Sequence, residues 1–393
     1  MAITISGNGD MTGDYTFAGD VDVNGKLEAP AGDTASRPAT GQAGELRFNT
    51  DTGKLEYWSS TDFVPKWRAI DDAPVTGPEI DFLVIAGGGG GGSGYAGGGG
   101  GAGGYRTSWG SGNISGGLSA VESAVGITFG TAYTITVGSQ GYGGGSNPQQ
   151  GTDGGDSTFA TITSTGGGGG GTYNNGSNEP GRNGGSGGGS GGSYDAANRS
   201  AGGTAVAGQG FVGGIGNKTG STCWAGAGGG GAGQAGADGS NATGSGKGGD
   251  GLASTITGTS VVRGGGGGGG NHNTCAITNE ENGGAGGGGR GQQTANGSSH
   301  PSNQNGTANT GGGGGGGGDG ANTLYYGGDG GTGVIILRSM SGINAAFSAG
   351  TEVNGITVAS DGTNVTGAAI SGSTDLLWTI TSASNDTVTF TQA

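Results

Sequence analysis

Apolar and polar positions alternate in short units from Ile3 to Pro30, "ITISGNGDMTGDYTFAGDVDVNGKLEAP", and each unit stops at glycine. Tyr15, Phe17, Val21 and Val23 fall at period two, which predicts strands. Units this short cannot bury a face alone, so the 1–70 region is expected to fold as a homotrimer. A second alternation, "GELRFNTDTGKLEYWSSTDFVPKWRAI" (44–70), predicts a hairpin. Leu46 and Phe48 run down to an Asp51-Thr52-Gly53 turn, and Leu55, Tyr57 and Trp58 return. Changes to Leu46 and Phe48 are therefore expected to harm folding. "DDAPVTGP" (71–78) reads as a linker.

Two continuous apolar runs follow, "IDFLVIA" (80–86) and "GVIILRS" (333–339), with the length of buried strands. Pairing them would close everything between into one domain. What lies between is dominated by glycine runs at 87–92, 97–101, 166–171, 264–270 and 311–318. A loose repeat relates "GTDGGDSTFATITSTGGGGGG" to "GKGGDGLASTITGTSVVRGGGGGGG": a Gly-Asp turn, a Thr-rich strand, then polyglycine. Beyond 340, "DLLWTIT" and "DTVTFTQ" read as β-strands between NG, DG and SG turns. The division expected is a short-strand shaft (1–38), a hairpin module (39–72), a linker (73–79), a glycine-rich domain (80–339) and a C-terminal β-module (340–393). The class is mostly β and irregular, with little or no α-helix.

Composition sharpens the problem. Glycine supplies 111 and proline 8 of 393 residues, and only 29% are hydrophobic. That glycine share usually marks disorder, and 29% is too little for one conventional core. An ordered solution exists in polyproline-II geometry, with three residues per turn and no internal hydrogen bonds. Helices without side chains can pack closely enough to exchange N–H···O=C bonds with neighbours, which meets the pairing demand of every buried backbone group. Compact polar inserts, not further linker, interrupt the runs, which favours such a bundle, with other residues confined to its outer faces and turns. Gly267→Val is then expected to be severe.

"DFLVIAGGGGGGSGYAGGGGGAGGYR", the "GGDSTF…TGGGGGG" block and the closing "GGDGGTGVIILR" resemble the glycine-rich domain of phage tail-fibre and tail-tip adhesin proteins. "PATGQAGELRFNTDTGKLEYW" is similar to a module common in phage tail-fibre chains. The resemblance implies a polyglycine-II bundle carrying variable loops that bind a bacterial outer-surface receptor, protein or polysaccharide. It also implies an N-terminal region that contacts other virion tail proteins. The chain departs from the adhesin pattern by joining shaft-like units and a C-terminal module to the glycine domain.

Charge and chemistry narrow the function. A net charge of −15 argues against a nucleic-acid partner. The N-terminus lacks a basic region and an apolar core, so no signal peptide is expected. A virion component made in the host cytoplasm and released by lysis fits. "NATGSGKGG" (241–249) lacks the Ser or Thr that a phosphate loop needs after its lysine. "DVDVNGKLEAPA" (20–31) has Ala31 where a calcium loop needs its bidentate Glu. His272, His300, Cys223 and Cys275 make a poor zinc set. A Cys223–Cys275 disulfide is weighed, with unpaired thiols the default. No catalytic set emerges, so neither an enzyme nor a cofactor is expected.

Recognition falls to the inserts at 172–183, 193–200, 217–226, 271–282, 292–310 and 321–326. They hold Tyr173, Arg182, Tyr194, Arg199, Trp224, His272, Tyr325 and Tyr326 amid Asn, Ser, Thr and Gly. Rigid aromatics among small adaptable polar residues suit binding loops on a rigid scaffold. The opposing reading makes the same aromatics caps on the bundle ends, and a filament spacer the function.

Overall fold

A computed structural model describes residues 31–36, 38–39, 45–51, 53–59, 66–69, 78–110, 114–145, 147–174, 177–193, 199–218, 223–240, 244–272, 283–292, 304–320, 323–324 and 326–393. The strands expected within 1–30, most of the 71–78 linker, Tyr194, Tyr325, Cys275 and His300 lie outside the described residues. The chain divides into two compact units, Met1–Pro74 and Val75–Ala393.

In the first unit Leu46–Asn49 and Lys54–Ser59 form the expected hairpin, with Leu46 opposite Tyr57 and Phe48 opposite Leu55. Gly53 takes φ +68° and donates its amide to Asn49 O at 2.9 Å, a turn conformation glycine adopts without strain. Lys66–Ala69 adds to one side and Ala31–Gly32 to the other. The burial is inverted relative to the sequence reading. Leu46 and Phe48 stay 39% and 38% exposed, while Arg47, Asn49 and Glu56 are buried with Trp58 and Trp67. The tryptophans choose the inner face: they meet edge-to-face at 5.7 Å across paired strands. Period two then carries Glu56 and its partner Arg47 inward with Trp58. Hydrogen bonds make that burial tolerable, from Asn49 Nδ2 to Glu56 Oε1 (2.9 Å), Arg47 Nη2 to Asp33 O (2.9 Å) and Trp67 Nε1 to Pro38 O (3.1 Å).

The second unit is closed as the two apolar runs suggest. Glu79–Ile85 and Val334–Ser339 pair antiparallel, Ile85 against Val334 through Asp81 against Arg338. Leu376–Ser382 lies along the other side of Val334–Ser339, so a strand from beyond residue 340 shares this eight-stranded sheet. The six-stranded sheet likewise joins Asp386–Gln392 to Ala132–Thr136. Leu83, Ile85, Tyr105, Ile256, Ile336 and Leu377 build a core beneath the first sheet. Arg338, stacked 3.7 Å over Trp109 and paired with Asp375 at 2.8 Å, seals its rim. The described residues hold one short 3-10 turn, Gly116–Leu118, and are otherwise β and irregular.

Between the sheet strands the glycine runs are rods, and the hydrogen bonds of residues 97–104 display their geometry. Gly97, Gly100 and Gly103 donate to Gly317, Gly314 and Gly311; Gly98, Gly101 and Gly104 donate to Gly171, Gly168 and Thr165; Gly99 and Ala102 donate to Ala227 and Gly230. Every third residue thus addresses the same neighbour, the signature of three residues per turn. Three further rods donate back: Gly270 and Gly267 to Gly97 and Gly100, Gly92 and Gly89 to Gly98 and Gly101, Gly189 and Ser186 to Gly99 and Ala102. Residues 97–104 are therefore a central rod with six neighbours, buried throughout. Non-glycine residues are not confined to the outside. Ala96, Ala102, Ala227, Ala232, Ser186 and Ser190 are all buried; they carry the smallest side chains there are. At the edge, carboxylates replace absent rods: Asp153 Oδ1 accepts from Gly169 N, Asp156 Oδ1 from Gly166 N and Asp329 Oδ1 from Gly143 N. The sequence repeat is structural, since hairpins Ser157–Phe159/Ile162–Ser164 and Leu252–Ser254/Val261–Arg263 each lead into a rod.

Candidate functional site

Rods alternate in direction, so their ends separate into two layers. At one end Ala86 N bonds Gly104 O, Gly103 N bonds Gly311 O and Gly104 N bonds Thr165 O, next to the sheets. At the other end Gly98 N bonds Gly171 O, Gly97 N bonds Gly317 O, Gly226 N bonds Gly270 O, Gly192 N bonds Ala96 O and Gln292 N bonds Gly316 O. These residues flank the inserts, so the bases of all six gather in a single layer, far along the rods from the sheets. Two inserts are shorter than the sequence suggests. Arg182 N already bonds Gly169 O, and Gln304 O accepts from Gly315 N, so residues near 182 and from 304 to 310 belong to rods.

That layer is aromatic. Tyr95 stands 6.1 Å from Tyr173, 5.7 Å from Trp224 and 5.7 Å from His272, ring centre to ring centre. Tyr173 and Trp224 are 5.5 Å apart, and Trp224 and His272 4.2 Å. Backbone pairing brings them together: His272 N donates to Trp224 O at 3.0 Å, and Gly94 and His272 bridge Tyr173 and Asp319. Only 5% of Tyr173 and 9% of His272 remain exposed. Both close the end of the bundle more than they face outward.

His272 Nε2 lies 3.2 Å from Asp319 Oδ2, a carboxylate almost wholly out of water. Burial pushes the imidazole below its ordinary value, and the nearby Asp319 charge only partly opposes that. Cys223, one residue before Trp224, is disulfide-bonded, which overturns the expectation of unpaired thiols. The physical reason is adjacency: Ala225 bridges Asn271, drawing the 217–226 and 271–282 inserts side by side at their bases.

The remaining candidates are not part of this cluster. Arg182 binds Asp153 through Nε and Nη2 at 2.7 and 2.8 Å, on the side of a rod. Arg199 is exposed, its Nε donating to Gly216 O at 3.1 Å. Tyr326 is 42% exposed, and its carbonyl accepts from Gln304 Nε2 at 2.8 Å. Sequence reasoning missed Tyr95, the hub, and Asp319. The available signal for Tyr95 was its place as the lone aromatic in "SGYA", the shortest turn between two glycine runs. No group of three or more potential metal ligands occurs among the described residues.

A family model described as a glycine-rich domain matches residues 69–340. No curated protein and no solved structure matches the chain.

Proposed function

The chain belongs to the glycine-rich domain family, and we propose that it serves as a phage tail-fibre or receptor-binding protein, attaching a virion to a bacterial surface. The observation that supports this reading best is the gathering of six insert bases in one layer at the end of a stiff rod bundle. Loops held by a rigid scaffold can present several contacts at once without the entropy cost of ordering each separately. Exposed Arg199 and Tyr326 are the described contact candidates; Tyr173 and His272 support the layer beneath. In this reading the N-terminal unit trimerises and joins other tail proteins, and several copies raise avidity through effective concentration.

Labelled full-length chain incubated with a panel of bacterial strains tests the reading. Saturable adsorption to at least one strain, competed by unlabelled chain, is the expected result. Linear, uncompeted uptake on every strain, together with ordered filaments in electron micrographs, would replace it with a spacer or filament role.

A further inference from the structure

A cleft of about 530 Å³ opens where the glycine bundle meets the two sheets, remote from the insert layer. Its wall carries Ser139, Asp156, Thr332, Thr381, Ser382 and Ser384. The volume lies in the range of small-molecule sites, and neither the fold nor the attachment reading uses it. From its chemistry we propose that this cleft is a binding site for a short neutral saccharide of one or two sugar units.

The wall selects by what it has and what it lacks. Among the described residues no lysine or arginine lines it, so a phosphate, sulfate or carboxylate would find no counter-charge there. One carboxylate is present, Asp156, and its Oδ1 already accepts from Gly166 N at 2.7 Å. A calcium ion, which takes six to eight oxygen ligands including several carboxylates, is poorly served. Val137 and Ala383 are the larger apolar contributions to the wall, too little for a peptide side chain to anchor.

Hydroxyls remain. Ser139, Ser382 and Ser384 are exposed and can each donate and accept, the pairing that adjacent ring hydroxyls of a sugar require. The Thr332 hydroxyl is committed to Asn309, which it meets at 3.0 Å. Thr381 Oγ1 is different, being out of water with no hydrogen-bond partner in the fold. Such a hydroxyl is costly unless something meets it, and a turn of the Thr381 side chain toward the cleft would let a sugar hydroxyl do so. Val137 and Ala383 would face the C–H surface of the ring.

The cleft is built from rigid parts. Val137 N bonds Ala383 O at 2.9 Å, Gly155 N bonds Ser139 O at 2.8 Å, and Asn385 N bonds Thr136 Oγ1 at 3.2 Å. The cleft shares no residue with the insert layer, so variants in one leave the other intact.

Saturation-transfer NMR on the full chain with maltose, lactose and cellobiose tests the proposal. Transfer to at least one sugar is expected, with Ser384→Trp abolishing it by filling the cleft. Thr381→Val should weaken binding about tenfold, the loss of roughly one hydrogen bond. The same variant should not lower the melting temperature of the sugar-free protein, because the hydroxyl it removes has no partner to lose. Absence of transfer from all three sugars overturns the proposal. So does transfer that survives Ser384→Trp in a protein with unchanged melting temperature. Removal of Arg199 and Tyr326 should leave the transfer intact, and its loss there would place the sugar at the inserts instead.

Discussion

Gly267 donates its amide to Gly100 O at 2.9 Å, and a β-carbon on Gly267 would stand 2.0 Å from Gly314 O. No side chain of any kind fits there, because the obstacle is backbone that is itself hydrogen-bonded. Gly267→Val should force two rods apart and leave buried groups unpaired, at ~1–3 kcal/mol each. Gly126→Val makes the control, since nothing lies within 4 Å of that position. Thermal unfolding of the two variants should differ widely, with Gly126→Val near wild type. Matching melting temperatures would mean the rods are not packed.

Acid should loosen the edge of the bundle. Burial alone would raise the Asp250 carboxyl, but hydrogen bonds from Lys247 Nζ (2.8 Å) and Ala285 N (2.9 Å) outweigh it and hold it below its ordinary value. A carboxyl lowered by folding contributes stability that is complete above the unfolded value near 3.8 and fades as pH falls through the lower folded one. Denaturation midpoints of wild type and Asp250→Asn should therefore differ more at about pH 6 than at about pH 3. A gap of the same size at both would remove the carboxylate from the account.

The aromatic layer separates support from contact. Tyr173→Ala empties a buried position beside Tyr95 and Trp224 and should cost about 3 kcal/mol of stability, read by chemical denaturation. Tyr326→Ala and Arg199→Ala touch exposed side chains and should leave stability within about 0.5 kcal/mol, while weakening cell adsorption. If the pair adsorbs normally and Tyr173→Ala alone abolishes attachment in a folded protein, the contact surface includes the layer itself.

In the first unit the two faces of one hairpin answer to different measurements. Trp58→Ala removes half of the buried Trp58–Trp67 pair and should unfold the unit, at ~3–5 kcal/mol. Phe48→Ser lies on the exposed apolar face and should leave the unit folded while shifting native mass from trimer toward monomer. Loss of near-ultraviolet tryptophan signal in Phe48→Ser would return that residue to a folding role.

Much of the architecture was legible because it rests on local pattern. The runs at 80–86 and 333–339 carry their strand character in their own residues, and the Asp51-Thr52-Gly53 turn fixes the hairpin around it. The rods could be inferred because glycine leaves few other ways to satisfy a buried backbone. What was not legible depends on distant partners. Nothing local in "DLLWTIT" says that it will lie against Val334–Ser339. Arg47 and Glu56 look like surface residues until two tryptophans claim their face. Tyr95 lies in a turn of little apparent content, and its importance comes from rod ends that meet there from far along the chain.

The rotation of partners along residues 97–104 also sets a rule for how this sequence can change over time. One residue inserted within a rod turns everything after it by a third of a revolution, so each later amide points at the wrong neighbour. Three inserted residues restore the pattern, one turn of ~9 Å further on. The glycine rods thus keep a reading frame in protein space, whereas the inserts between them keep none. Inserts can change length without disturbing the rods, but one residue gained or lost inside a glycine tract changes the partner of every amide that follows it in that rod.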